Sequence, residues 1–375
     1  MPICRCFPLR LRQFAGIPIV LLLAACSQLP VKNTAAAADA EKLNAARRAA
    51  IQGDMVSALQ GLRELSPNFL SAKDAAMREC MLQRHAASAE YPPASNLPPA
   101  AAAVLNAYQD YWRSLLLKQA EQPQAEKQLL TTLNTILAEN GQTTHDRSDL
   151  DATTDAIKPL IERQGLHALT GKTSPYYELM LWRKEAPKRF SVALPEQVTA
   201  VDVVFMDDFM VQGWLGYETC NYIGTGGWAE KDKLYAVSEK YDQNSERFKI
   251  SYLAHEGQHF SDYAHYPKLE QPELEYRAKL TELAMSITTT RSLFLKFLLG
   301  GVRGRNAPHP HAEYMLGQHM SARLLGTATP IETDPAHWET IGDQAIRDAA
   351  RSLLLESSAT LKAAGASTAT RFLPD

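Results

Sequence analysis

The stretch HEGQHFSDYAH, residues 255–265, sets two imidazoles four positions apart with a carboxylate between them. On a helix, residues four apart lie one turn above each other, so His255 and His259 point the same way. Two neutral imidazoles suit Zn²⁺, which in a catalytic site takes three protein ligands and keeps a position open. Glu256 is rotated by about 100° from His255, close enough to act as general base on a metal-activated water. Tyr252, Leu253 and Ala254 precede the motif, Phe260 follows it, and Gly257 and Gln258 inside it are uncharged. That is the partly apolar helix a buried metal site needs. A mid-helix glycine costs about 1 kcal/mol relative to alanine, so Gly257 points to a close approach by another element or by the metal.

Working outward, Tyr177 to Lys184 alternates as a strand, Glu185 to Lys188 reads as a turn, and Phe190 to Leu194 as the return strand. Val198 to Met206 is rich in β-branched residues, Gly224, Gly226 and Gly227 mark a loop, and Lys233 to Val237 is a short strand. The motif then sits on a helix expected over Ser245 to Tyr263. Pro267 and Pro272 break the chain before a long helix expected from Glu273 to Leu299. Helical patterns return near Ala312 to Leu325 and Ile341 to Ala364.

This order of strands, motif helix and second helix over about residues 170–300 resembles a zincin metallopeptidase domain. The resemblance rests most specifically on His255-Glu256-Gly257-Gln258-His259. It leaves the third ligand to be chosen. His265 has the spacing of the metzincin pattern, which needs a glycine turn where this chain has Asp262. If the helix continues, His265 falls on the opposite face. The gluzincin group, which the chain resembles more closely, takes a Glu from the next helix. Glu275 lies sixteen positions after His259, with two prolines between them to make an antiparallel return. Glu275 is therefore the first choice, with His265, Glu282 and Glu273 as alternatives. Glu282 shares a helical face with Glu275 and is placed to orient a ligand histidine from behind.

One position departs from the resemblance. Many gluzincins carry an Asp four residues after the ligand Glu, and here that residue is Lys279. Support for the histidines must come from elsewhere, and Asp262, three residues after His259, is a second candidate beside Glu282. The group often stabilises its transition state with a later Tyr or His. Tyr314, His319, His309 and His311 are all open to that role. The resemblance also implies that a peptide substrate pairs with an edge strand near 222–237.

The N-terminus reads as an export signal. Arg5, Arg10 and Arg12 precede a short apolar run, Ala15 to Leu23, too short to span a bilayer. Leu23-Ala24-Ala25-Cys26 resembles the lipobox of bacterial lipoproteins, which implies cleavage after residue 25 and lipid on Cys26. Ser27 in place of Asp implies the periplasmic face of the outer membrane. Residues 26–40 read as a tether. Residues 41–165 read as a helical domain, with apolar positions recurring at three and four and a second helical stretch near Ala100 to Asn140. Residues 166–375 form the zincin-like part, so the class expected is α+β and mostly helical. Cys80 and Cys220 are the unmodified thiols left in the mature chain, free to pair in an oxidising compartment.

The 375 residues carry a net charge of −3, with 39 basic and 42 acidic side chains, which gives nucleic-acid binding no electrostatic support. The function expected is a lipid-anchored zinc metallohydrolase, a peptidase acting on a peptide or protein. The contrasting expectation is a non-catalytic envelope scaffold using residues 41–165 to hold partners. Cys26→Ser is expected to release the protein from membranes, checked by fractionation after carbonate washing.

Overall fold

The computed structural model describes the chain from residue 34 onward, apart from residues 67, 69, 87–96, 143–148, 174, 231–232 and 327–330. The export signal, Cys26 and the first part of the tether lie outside the described residues. Six helices come first: α1 (Thr34–Ile51), α2 (Met55–Arg63), α3 (Ala72–Arg84), α4 (Pro99–Leu116), α5 (Gln122–Glu139) and α6 (Leu150–Glu162). Helix α1 begins inside the expected tether, because Ala35 to Ala38 is a run of the strongest helix former. The expected stretch from Ala100 to Asn140 is two helices, broken at Lys118, whose φ of 52° no helix accommodates.

A five-stranded sheet follows: β1 (His167–Thr173), β2 (Tyr176–Ala193), β3 (Val198–Gln212), β4 (Gly227–Ala229) and β5 (Leu234–Val237), in the order β1-β2-β3-β5-β4. Helix α7 (Gly213–Glu218) leaves the end of β3. Only β3 and β5 run parallel. The expected turn at Glu185 to Lys188 is absent, and β2 runs straight through it. Its partner β3 is long enough to pair with it to Ala193. Pro187 is tolerated because β1 reaches only Trp182, which leaves β2 an open side where no donor is needed.

The two faces of the sheet bury different things. Val201, Val203, Phe205, Leu234 and Ala236 face Phe248 and Tyr252 to Ala254. Met180, Trp182, Met206 and Val237 form a separate cluster with Trp228 and Tyr235 on the other face.

The chain ends in α8 (Glu246–Phe248), α9 (His255–His265), α10 (Gln271–Met285), α11 (Thr290–Gly300), α12 (Pro308–Leu325), α13 (Pro335–Trp338) and α14 (Asp343–Ala364). The motif helix is shorter than expected, since a π-helical turn at Lys249–Ala254 precedes His255. Such turns recur at functional sites. The long helix expected to Leu299 is split. The Glu246 carboxylate accepts the backbone N–H groups of Ile287, Thr288 and Thr289 at 2.7, 2.9 and 3.2 Å, so those donors are lost to any helix. Burial opposes the charge on Glu246, but these bonds and the Thr288 and Thr289 hydroxyls pull its carboxyl down to about 2. The protein is thus α+β and mostly helical, 59% of it helix.

The expected boundary between residues 165 and 166 falls in the turn from α6 to β1, yet one hydrophobic core crosses it. Trp112 and Tyr108 of α4 pack in that core with Tyr177, Leu179, Trp214 and Tyr217. The Trp112 indole donates to the Tyr177 carbonyl at 2.8 Å. Cys80 of α3 and Cys220 after α7 form a disulfide, with Cα atoms 6.4 Å apart. Closing a loop of this size restricts the unfolded chain. Cys220→Ser is expected to lower the unfolding free energy by roughly 2–5 kcal/mol, read from urea denaturation.

Candidate metal centre

Helix α9 is pressed onto the sheet at Gly257. A Cβ there would stand 3.4 Å from Val201 Cγ2 and 3.7 Å from Leu194 and Val192, so the glycine lets the motif helix sit close. Helix α10 then packs along α9 and is buried at every position from Pro272 to Ala284. This pairing brings His255, His259 and Glu275 together, all three buried, in an arrangement able to hold a metal ion. The two histidine Nε2 atoms lie 3.1 Å apart. Glu275 reaches His259 Nε2 with Oε1 at 3.4 Å and His255 Nε2 with Oε2 at 3.6 Å.

The three side chains could hold a cation. Three carboxylates, from Glu282, Glu275 and Glu256, act on His255. Burial opposes a charge there, but Glu282 first and then the other two push the imidazole pKa up. Burial would raise the Glu275 carboxyl, but His259, His309 and His255 around it hold it well below the usual carboxylate range. Glu275 Oε2 has no hydrogen-bond partner among the described residues. A buried acceptor without a donor is costly, and a metal ion would satisfy it.

Glu282 supports the site from behind. Its Oε1 lies 2.6 Å from His255 Nδ1, which fixes that nitrogen as the donor and turns the Nε2 lone pair toward the centre. Asp262 does not share this role. Its carboxylate accepts from Gln258 Nε2 and Arg277 Nε, each at 2.9 Å, and touches neither ligand histidine. The buried Arg277 guanidinium, with both Ser357 and Ser358 also bonded to it, is the stronger attraction for an acid in that position. Lys279, standing where the resemblance has an Asp, turns to Glu313 of α12 at 2.9 Å.

The remaining alternatives are placed elsewhere. Asp262 stays within α9, so no metzincin turn forms, and His265 is exposed with Nδ1 2.8 Å from the Ser261 carbonyl. Glu273 is fully buried and held by Arg305 at 2.7 Å and by the Leu373 N–H at 3.2 Å. His311 bonds Gly304 N and the Pro374 carbonyl. His319 bonds the Tyr276 hydroxyl at 2.7 Å. Tyr314 packs its backbone against Gly301.

His309, at the start of α12, is the one member of that group at the centre. Its Nδ1 lies 2.7 Å from Glu275 Oε2, too poorly aligned for a hydrogen bond, and most of its ring is open to solvent. Its approach to Glu275 had no local signal, because 34 residues separate them. Sequence reasoning also passed over Tyr263, whose exposed ring lies 6.4 Å from that of His259. Glu256 is half-buried and makes no hydrogen bond or ion pair with another described residue, which leaves its carboxylate available.

Comparison with known proteins found no matching family model, no similar curated protein and no similar solved structure. Glu275→Gln is expected to abolish stoichiometric metal, Glu282→Gln to weaken metal affinity by about 10–100-fold, and His265→Asn to leave it unchanged. Metal titration of the three purified variants checks all of them.

Proposed function

We propose that this protein is a zinc-dependent metallohydrolase, a peptidase, with zinc held by His255, His259 and Glu275. The observation that carries the reading is the spacing of the donor atoms. In a tetrahedral zinc site with bonds of about 2.0–2.1 Å, ligand atoms stand roughly 3.3 Å from one another. Here the two Nε2 atoms stand 3.1 Å apart, Glu275 brings Oε1 to 3.4 Å from His259 Nε2 and Oε2 to 3.6 Å from His255 Nε2, and one donor atom from each residue lies within 4.8 Å of the other two. Two imidazoles and a carboxylate are also the ligand set of catalytic rather than structural zinc.

A bound zinc supplies Lewis acidity, which acidifies water and polarises a carbonyl. The rest belongs to the chain. Glu256 takes the proton of the attacking water and returns it to the leaving amine. Glu282 holds His255 in one tautomer throughout. The exposed His309 ring faces the centre beside Glu275, available to donate to a developing oxyanion. Strand β4 lies at the edge of the sheet, and its free side offers backbone groups to an extended peptide. The Cys26 lipobox supports attachment to the periplasmic face of the outer membrane. Among the described residues, no helix is long and apolar enough to cross a membrane.

Glu256→Gln is expected to keep zinc and to lose roughly 10²–10⁴-fold in hydrolysis. Mass spectrometry of envelope peptides from cells carrying wild type or the variant identifies what accumulates. Identical peptide profiles, with zinc retained, would remove catalysis from the account.

A further inference from the structure

The segment after α14 crosses back over the elements that carry the metal centre. Leu373 is buried in the core shared by α10, α11, α12 and α14, and Phe372 packs against it. The main chain around them is tied at both ends. The Thr370 carbonyl accepts from Glu270 N at 3.0 Å, and Asp375 O accepts from Arg303 Nε and Nη2 at 3.1 and 2.9 Å. Between these ties, the Leu373 N–H donates to Glu273 at 3.2 Å, the Leu373 carbonyl accepts from Arg305 at 3.2 Å, and the Pro374 carbonyl accepts from His311 Nε2 at 3.1 Å.

Two of the ties stand two residues from the centre. Glu273 precedes Glu275 on α10, and His311 follows His309 on α12. Two steps along a helix turn a side chain by about 200°, so each helix is held from the side away from the centre. His311 is fully buried and serves in one tautomer: Gly304 N–H donates to its Nδ1 at 3.2 Å, which leaves the Nε2 proton for Pro374.

His309 depends on that hold. It stands between Pro308 and Pro310 in the first turn of α12, which has no side-chain cap, and its side chain is 65% exposed. Packing around the ring therefore does little to place it. From outside the helix, the turn is fixed by the Val302 N–H, which donates to the Pro310 carbonyl at 3.0 Å, and by the bonds of His311. Burial of Leu373 alone would close the core. The polar ties do more, since they join one stretch of backbone to both helices that carry the Glu275 and His309 pair. We propose that residues 370–375 are a strap that positions His309 beside Glu275, acting through His311. The inference rests on the proposed function, in which His309 faces the metal centre.

The test loads the full chain with Co²⁺ in place of zinc and follows the histidine ring protons by NMR, since the metal shifts the signals of rings close to it. In the wild type, His255, His259 and His309 should all be shifted. Arg303→Ala, an exposed change that cuts the tie to Asp375, and His311→Phe, which keeps a ring and removes both its hydrogen bonds, should each lose the His309 shift while His255 and His259 keep theirs. His311→Gln, whose amide can still donate to Pro374, should retain it. An unshifted His309 in the wild type, a full His309 shift in both Arg303→Ala and His311→Phe, or loss of all three shifts together in those variants would overturn the inference. Unshifted His255 and His259 in the wild type would instead overturn the metal reading, and the inference with it.

Discussion

Five ionisable side chains on one buried helix set the terms for the rest of this structure. Glu273, Glu275, Arg277, Lys279 and Glu282 of α10 are each at most 5% exposed. Taking a charge out of water costs several kcal/mol unless a partner goes with it. Each therefore recruits a different part of the chain. Glu273 takes Arg305 and the backbone of the C-terminal segment, Arg277 takes Asp262 and two serines of α14, and Lys279 takes Glu313 of α12. Glu282 takes His255. Glu275 is the exception, since three imidazoles surround it, His255, His259 and His309, and yet its Oε2 accepts no hydrogen bond among the described residues. Two of these partnerships, Arg277 with Asp262 and Glu282 with His255, hold α10 on α9, two others tie it to α12 and to the C-terminal part of the chain, and the fifth carboxylate is the one placed where a metal ion could sit.

The contrast between Glu282 and Asp262 shows how the site is built. Both were placed by spacing to stand behind a ligand histidine. Glu282 does so because α10 runs alongside α9 and delivers it to His255 Nδ1. Asp262 sits on the same helix as His259, but a guanidinium from α10 lies within reach and an ion pair outweighs a bond to a neutral imidazole. The buried network around Arg277 and the buried trio are neighbours sharing two helices, so the packing that closes one also aligns the other.

What could be read from the sequence follows from how local each signal is. The motif, its helix and the helix carrying Glu275 were legible because helical spacing alone places His255 over His259, and prolines at 267 and 272 announce the return. The fold class and most of the helical segments were legible from periodicity for the same reason. The errors come from partners far along the chain. Nothing near Ser286 announces a helix break, because its cause, Glu246, lies about forty residues upstream. The turn expected at Glu185 looked sound from Pro187 and its charged neighbours, and only the length of β3 keeps that stretch extended. Strand β1 was missed because Gly171 and Lys172 break the alternation. The approach of His309 to Glu275 depends on the α11–α12 connection, which no spacing rule reaches.

The core that crosses from the helices to the sheet also governs the order in which the molecule can be completed. A chain made from its N-terminus forms α1 to α6 before Trp214 and Tyr217 exist. Until those residues arrive, Trp112 and Tyr108 have no far wall to pack against, and Cys80 has no second thiol. The first 160 residues are therefore a half-built interior, with apolar surface exposed during synthesis and prone to stray association. Completion waits on a short helix, α7, that supplies the missing aromatics and the approach to the second cysteine together. Once it docks, the loop running from Cys220 toward β4 is anchored, and the edge strand takes its place on the sheet. The helical half thus remains unfinished until the half that carries the His255, His259 and Glu275 cluster has begun to fold.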